Sequence, residues 1–250
     1  MASDDALARK ILPLIDLTSL NSADTDREII VLCKKAQTLV PPVAAVCLFP
    51  HFVSLASQLL INSPIKIATV ANFPAGNEPV QTVFDVITKS IEEGAHEIDV
   101  VFPYERYLQG EVQEAKDFIL HCKKLCGSEI LLKVILETGV LQSPDVIANV
   151  SELVILAGAD FIKTSTGKVP VGATLEAAAV MLSVIKKLTP QLHRNIGFKA
   201  SGGIPTIEQA VSYLELAAQM MGESWITPKT FRFGTSQLVD ELLNGKISWP

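Results

Sequence analysis

Ile130-Leu131-Leu132-Lys133-Val134-Ile135 sets one lysine in an otherwise apolar run, and the same pattern returns in Phe161-Ile162-Lys163-Thr164 and in Ile196-Gly197-Phe198-Lys199-Ala200. Short apolar runs rich in β-branched and aromatic residues read as strands covered on both faces, which is the signature of a parallel sheet. Working outward from these three, β-like runs begin near Ile11, Val43, Ile65, His96, Ile130, Asp160, Asn195 and Phe231. Segments of helical period separate them: Thr25 to Thr38, His51 to Asn62, Val80 to Glu93, Glu111 to Cys126, Pro144 to Ala157, Leu175 to Leu188, Ile207 to Met221 and Gln237 to Leu243. Ser143-Pro144 and Thr206 stand where helix N-caps belong, and Gly94, Gly158 and Gly222 follow helical segments. Eight alternating units in 250 residues predict a single-domain (β/α)₈ TIM barrel, with Ala2 to Leu12 adding a short N-terminal helix. The alternative arrangement is a doubly wound open sheet.

Composition narrows the function class. A formal net charge of -6 and a pI near 5.3 argue against nucleic acid as a partner. No apolar run reaches the roughly 18 residues of a membrane span, and the acidic start is unlike a signal peptide, so a cytoplasmic protein is expected. Cys33, Cys47, Cys122 and Cys126 are too sparse for a disulfide framework, and no histidine accompanies Cys122 and Cys126 at metal-binding spacing. No cofactor or metal is expected, and His51, His96, His121 and His193 are given no catalytic role.

A lysine is rarely buried without a partner or a task. Neighbouring strands lie about 4.8 Å apart, so the three ammonium groups should converge, and cationic neighbours in an apolar pocket lower one another's pKa. A neutral lysine is a nucleophile for carbonyl substrates and forms a Schiff base. In a barrel the reactive groups stand at the C-terminal ends of the strands. Asp16, Thr18, Cys47, Asn72, Asp99, Lys133, Lys163 and Lys199 fall there. Because alternate strands feed one interior layer, Lys133 and Lys199 should share a layer while Asp99 and Lys163 share the next. The loops Thr164-Ser165-Thr166-Gly167-Lys168, Ser201-Gly202-Gly203 and Gly234-Thr235-Ser236 combine glycines with hydroxyls. Such loops let backbone N–H groups and a following helix N-terminus hold a phosphate. Lys163 could also be a structural lysine paired with Asp160 or Asp99, Lys133 is read as support for Asp99 or Asp16, and Cys47 as a small buried hydrophobe.

Asp99-Val100-Val101-Phe102-Pro103-Tyr104, Leu132-Lys133-Val134-Ile135-Leu136-Glu137-Thr138-Gly139, Phe161 to Lys168 and Gly197 to Gly203 resemble the segments of the deoxyribose-phosphate aldolase family, and the resemblance runs from about Leu14 to Leu238. It implies metal-free, reversible cleavage of 2-deoxy-D-ribose 5-phosphate into acetaldehyde and D-glyceraldehyde 3-phosphate. By the same resemblance the Schiff-base lysine falls on Lys163, and the proton-relay aspartate and second lysine fall on Asp99 and Lys199. The family's phosphate loops match Gly167, Lys168, Gly202, Gly203 and Ser236, and its polar pocket positions match Asp16, Thr18, Lys133 and Thr166; Cys47 and Gly234 complete the expected lining. Three positions depart from the family: Ile204-Pro205 replaces a frequent arginine, Gln237 a second serine, and Ile247 to Pro250 carry no terminal tyrosine. The expected partners are sugar-phosphate and aldehyde substrates, with a homodimer left open. Two alternatives stay open: another Schiff-base aldolase or a transaldolase on a related sugar phosphate, and a non-catalytic sugar-phosphate-binding barrel.

Overall fold

A computed structural model describes residues 2–244; the tail around Ile247 to Pro250 lies outside the described residues. Eight parallel strands close into a barrel in the order of the chain, β1 (Ile15–Thr18), β2 (Ala45–Leu48), β3 (Lys66–Ala71), β4 (Glu97–Val101), β5 (Leu131–Ile135), β6 (Phe161–Lys163), β7 (Gly197–Ser201) and β8 (Phe231–Thr235), with β8 returning to pair with β1. An open sheet is thereby excluded. The helices are α1 (Ala2–Ile11), α2 (Asp26–Thr38), α3 (Val53–Leu59), α4 (Val80–Glu92), α5 (Tyr104–Leu108), α6 (Val112–Cys126), α7 (Thr138–Leu141), α8 (Pro144–Leu156), α9 (Leu175–Leu192), α10 (Ile207–Met221) and α11 (Leu238–Asn244).

Local chemistry sets most boundaries. Thr25 and Glu28 exchange hydrogen bonds in a capping box that starts α2, and Thr206 with Gln209 does the same for α10. Pro144 occupies the first turn of α8, where its missing N–H costs nothing. The first strand begins later than expected: α1 runs to Ile11, a 3₁₀ turn containing Pro13 covers Leu12–Leu14, and β1 starts only at Ile15. An apolar run of this length is ambiguous between strand and buried helix, and here Ile11, Leu12 and Leu14 bury as helical turns. The segment expected as a helix from His51 to Asn62 is a 3₁₀ turn at Pro50–Phe52 followed by the shorter α3.

The two faces of the barrel wall divide by chemistry. Outward residues such as Leu17, Val46, Ile98, Val134, Ile162 and Phe198 join the helices in one apolar core. Inside, Ala45, Cys47, Ala68 and Val70 of β2 and β3 form a separate small apolar cluster with Leu20. The interior also holds a group of charges: Asp16, Glu97, Asp99, Lys133, Lys163, Lys199 and Arg232 are all buried. Below them the Phe161 ring occupies the space of a side chain at Gly197, where an added Cβ would come within 2.3 Å of it, and the Arg232 guanidinium lies 5.7 Å over that ring. The 3₁₀ turn before β1 packs on β8 at the same end.

Candidate active site

Strand period places the charges. Residues two apart on a strand share a face, so Glu97 and Asp99 of β4 both point inward. Asp99 pairs in register with Lys133, and Lys163 with Lys199. The two expected lysine layers meet on one carboxylate. Asp99 Oδ1 accepts from Lys133 Nζ at 2.6 Å, and Asp99 Oδ2 accepts from Lys163 Nζ at 3.0 Å and from Lys199 Nζ at 2.8 Å. Lys199 also bonds Asp16 Oδ2, and Lys133 reaches Glu97 at 2.7 Å and Asp16 at 3.6 Å. Asp160 is not Lys163's partner; it takes Lys123 at 2.7 Å and the Leu132 N–H at 2.8 Å.

The three lysines therefore differ electrically. Burial lowers the Lys163 pKa and Lys199⁺ lowers it further, against the opposing pull of Asp99. Burial alone would lower Lys133 and Lys199 as well, but Asp99, Glu97 and Asp16 outweigh it at Lys133, and Asp16 with Asp99 outweighs it at Lys199, so both shift upward. Burial would push Asp99 and Asp16 up, yet the surrounding cations hold both carboxylates below their ordinary range. Lys163 is the buried amine most ready to lose its proton.

Above this cluster opens a cavity of about 350 Å³, lined by Thr18, Thr166, Gly167, Lys168, Gly202, Gly203, Gly234 and Ser236 among others. The three glycine loops expected to hold phosphate thus meet on one wall. The N–H groups of Gly167, Gly202, Gly203 and Ser236 have no acceptor among the described residues. Gly202, at φ +84°, lies so close to Gly167 and Gly172 that a Cβ would sit 3.2 Å from the Gly167 Cα. At Gly234 a Cβ would meet Ser201 Oγ at 2.6 Å and Lys199 Cε at 2.9 Å, so the absent side chain makes room for the Lys199 stem.

Other expected roles change. The helices α9 and α10 begin only at Leu175 and Ile207, and the N–H of Leu238 at the start of α11 is already bonded to Thr235 Oγ1. The loops therefore offer their own N–H groups in place of a helix end. Thr166 Oγ1 is committed to Glu137 and accepts from the Lys168 N–H at 3.0 Å, so it holds the loop in shape. The Lys168 ammonium bonds the Leu20 carbonyl at 2.7 Å across the cavity mouth, and Thr18 Oγ1 donates to the Asp16 carbonyl at 2.8 Å. Cys47 is buried in the small apolar cluster, outside the cavity lining, and burial pushes its thiol up. Pro205 and Gln237 both line the cavity, beside the glycine loops. Among the histidines, His96 accepts from the Ile67 N–H, while His51 and His121 stack on Phe49 and Phe84.

Three buried charges escaped the sequence reading: Glu97, Arg232 and Glu137. Glu97 was detectable as the inward residue two before Asp99, and Arg232 as a charge inside Phe231-Arg232-Phe233. Glu137 takes a left-handed backbone at φ +57° and receives the Thr166 N–H and O–H, a placement no periodicity announces.

A family model described as DeoC/LacD family aldolase matches residues 10–235. Among solved structures, a candidate deoxyribose-phosphate aldolase from Toxoplasma gondii ME49 is 24% identical at a TM-score of 0.89, covering 100% of this chain and 97% of that one, a likeness of fold. A candidate deoxyribose-phosphate aldolase from Coccidioides immitis is 29% identical at 0.83, covering 96% and 87%. The deoxyribose phosphate aldolase of Aeropyrum pernix is 27% identical at 0.77, covering 98% and 93%.

Proposed function

The chain belongs to the DeoC/LacD aldolase family, and on that premise we propose that it cleaves 2-deoxy-D-ribose 5-phosphate reversibly to acetaldehyde and D-glyceraldehyde 3-phosphate through an imine on Lys163. One observation carries the reading: Lys163 is 2% exposed, its pKa is lowered, and it lies 3.0 Å from a carboxylate oxygen that Lys199 also holds.

The chemistry follows from that placement. Neutral Lys163 Nζ adds to the C1 aldehyde of the open-chain sugar, and loss of water from the carbinolamine leaves a protonated imine. The C3 hydroxyl gives up its proton, the C2–C3 bond breaks, and its electron pair moves into the imine to form a C1–C2 enamine while C3 leaves as the aldehyde of the phosphorylated product. Protonation at C2 and hydrolysis then release acetaldehyde and restore the amine. Asp99 and Lys199, working through a water, move the protons of dehydration and C2 protonation. The free N–H groups of Gly167, Gly202, Gly203 and Ser236 hold the phosphate and fix C1 over the amine, and positioning of this kind supplies much of the rate.

Borohydride reduction in the presence of acetaldehyde, followed by peptide mass mapping, tests the reading. Label is expected on Lys163, and Lys163→Ala should abolish release of glyceraldehyde 3-phosphate while circular dichroism stays unchanged. Label on Lys133 or Lys199 would overturn the assignment, and a preference for dihydroxyacetone over acetaldehyde as donor would move the protein to another Schiff-base reaction.

A further inference from the structure

Six of the eight charged residues buried among the described residues close a ring in which signs alternate; Lys163 and Glu137 stand outside it. Lys133 meets Glu97 at 2.7 Å, Glu97 meets Arg232 at 3.0 Å, and Arg232 meets Asp16 at 2.6 Å. Asp16 bonds Lys199, Lys199 meets Asp99 at 2.8 Å, and Asp99 returns to Lys133 at 2.6 Å. Three carboxylates and three cations therefore neutralise one another without Lys163, which touches the ring from outside through Asp99 Oδ2.

An uncompensated charge is costly in a buried site, while a satisfied alternating set is tolerated. Among the described buried charges only Lys163 and Glu137 stand outside the ring, and burial pushes the Glu137 carboxyl toward its neutral form, so a proton on Lys163 adds a charge that the ring does not compensate. Resting on the reading of Lys163 as the imine-forming amine, we propose that Glu97 and Arg232 are positioning residues: by completing a neutral ring beneath the substrate cavity, they make Lys163 the amine that stands unprotonated. Neither lines the cavity, and Glu97 lies one pleat deeper in the barrel than Asp99, so neither can act by touching substrate.

The other groups facing Lys163 leave this balance intact. From β2 comes Cys47, whose thiol is kept protonated by burial. From β3 come only the uncharged Ala68 and Val70. Glu137, following β5, feels the Lys163 charge but makes no ion pair with any lysine among the described residues; it is bonded by Thr166, and burial pushes its pKa up. The remaining facing charges, from β1, β4, β5, β7 and β8, are the ring members themselves.

The sign of the effect separates this role from a purely structural one. Glu97→Gln, an isosteric change, leaves the ring with surplus positive charge, so Lys163 should hold its proton less tightly. Arg232→Met leaves surplus negative charge, so Lys163 should hold it more tightly. The readout is the pH at which cyanoborohydride trapping of acetaldehyde on Lys163 is half-maximal, quantified by peptide mass spectrometry on proteins whose fold is checked by circular dichroism. Glu97→Gln should move that midpoint down and Arg232→Met up, each by about one pH unit. Combining the two should bring it back toward the parent value, and Arg232→Lys, which keeps the charge, should leave it near the parent. If Arg232→Met fails to fold, Glu97→Gln decides alone: an unmoved or raised midpoint overturns the proposal, as do single-variant shifts of the same sign or a double variant that does not return. A parent protein that traps nothing on Lys163 at any pH would instead defeat the imine reading on which the proposal stands.

Discussion

Lys163 gives its hydrogen bond to Asp99 Oδ2, and among the described residues that is its only carboxylate contact, an oxygen it shares with Lys199. Asp99 thus both attracts the proton of Lys163 and stands where a proton relay would begin. Asp99→Asn should uncouple these roles. Turnover should fall by about 10²-fold or more with loss of the relay, while acetaldehyde trapping on Lys163 should persist and shift to lower pH, because a charge that raised the amine's pKa has gone. Parallel loss of trapping and turnover would show that Asp99 serves imine formation first.

Lys199 acts on the amine through charge and on the reaction through its proton. Lys199→Arg should keep the charge but lose the relay, since guanidinium does not deprotonate in proteins, giving a trappable imine and slow turnover. Lys199→Leu should lose both and raise the Lys163 pKa, so trapping should be sluggish at neutral pH and recover in alkali. Because burial is the larger cause of the lowered Lys163 pKa, the upward shift should be partial. Identical trapping profiles in both variants and the parent would remove Lys199 from this role.

Ser236 is exposed at the cavity edge beside the unbonded N–H groups. Ser236→Asp should set an anion against the substrate's phosphate and raise KM for the phosphorylated sugar by about tenfold or more, with little change for unphosphorylated deoxyribose. Equal losses on both substrates would place Ser236 outside the phosphate site.

A buried amine that must stay neutral costs stability. Lys163 titrates lower in the folded chain than in the unfolded one, so between those two pKa values the unfolded state binds more protons, and the contribution to stability rises with pH until it levels off near the unfolded value of 10.5. Lys163→Met should therefore be inactive yet melt about 2–4 °C higher near neutral pH, with the gain shrinking as the pH approaches 10. A lower melting temperature across that range would mean that the Lys163–Asp99 bond stabilises more than burial costs.

Sequence alone gave the eight strands, the three converging lysines and the three glycine loops because each is written locally: an apolar run, a charge inside it, a cluster of small residues at its end. What it missed depends on three-dimensional closure. The start of β1 was placed too early because Ile11 to Ile15 is apolar in either conformation. The short α5 and α7 went unseen because neither is long enough to show a period. Asp99 was expected in a layer with Lys163, whereas long lysine stems let three strands converge on it. The Glu97–Arg232 contact joins β4 to β8 across the barrel, which only a closed sheet brings together.

The buried aromatic floor formed by Phe161 packed into Gly197, with Arg232 above it, backs the charged interior, and the cavity where the loops meet opens toward solvent at the other end. A ligand seated in that mouth acts as a stopper. While it stays, proton exchange between the buried charges and bulk water through that mouth should slow. On the proposed order of steps the phosphorylated aldehyde leaves before C2 is protonated, so hydrogen from bulk water would enter at that stage, with the stopper gone.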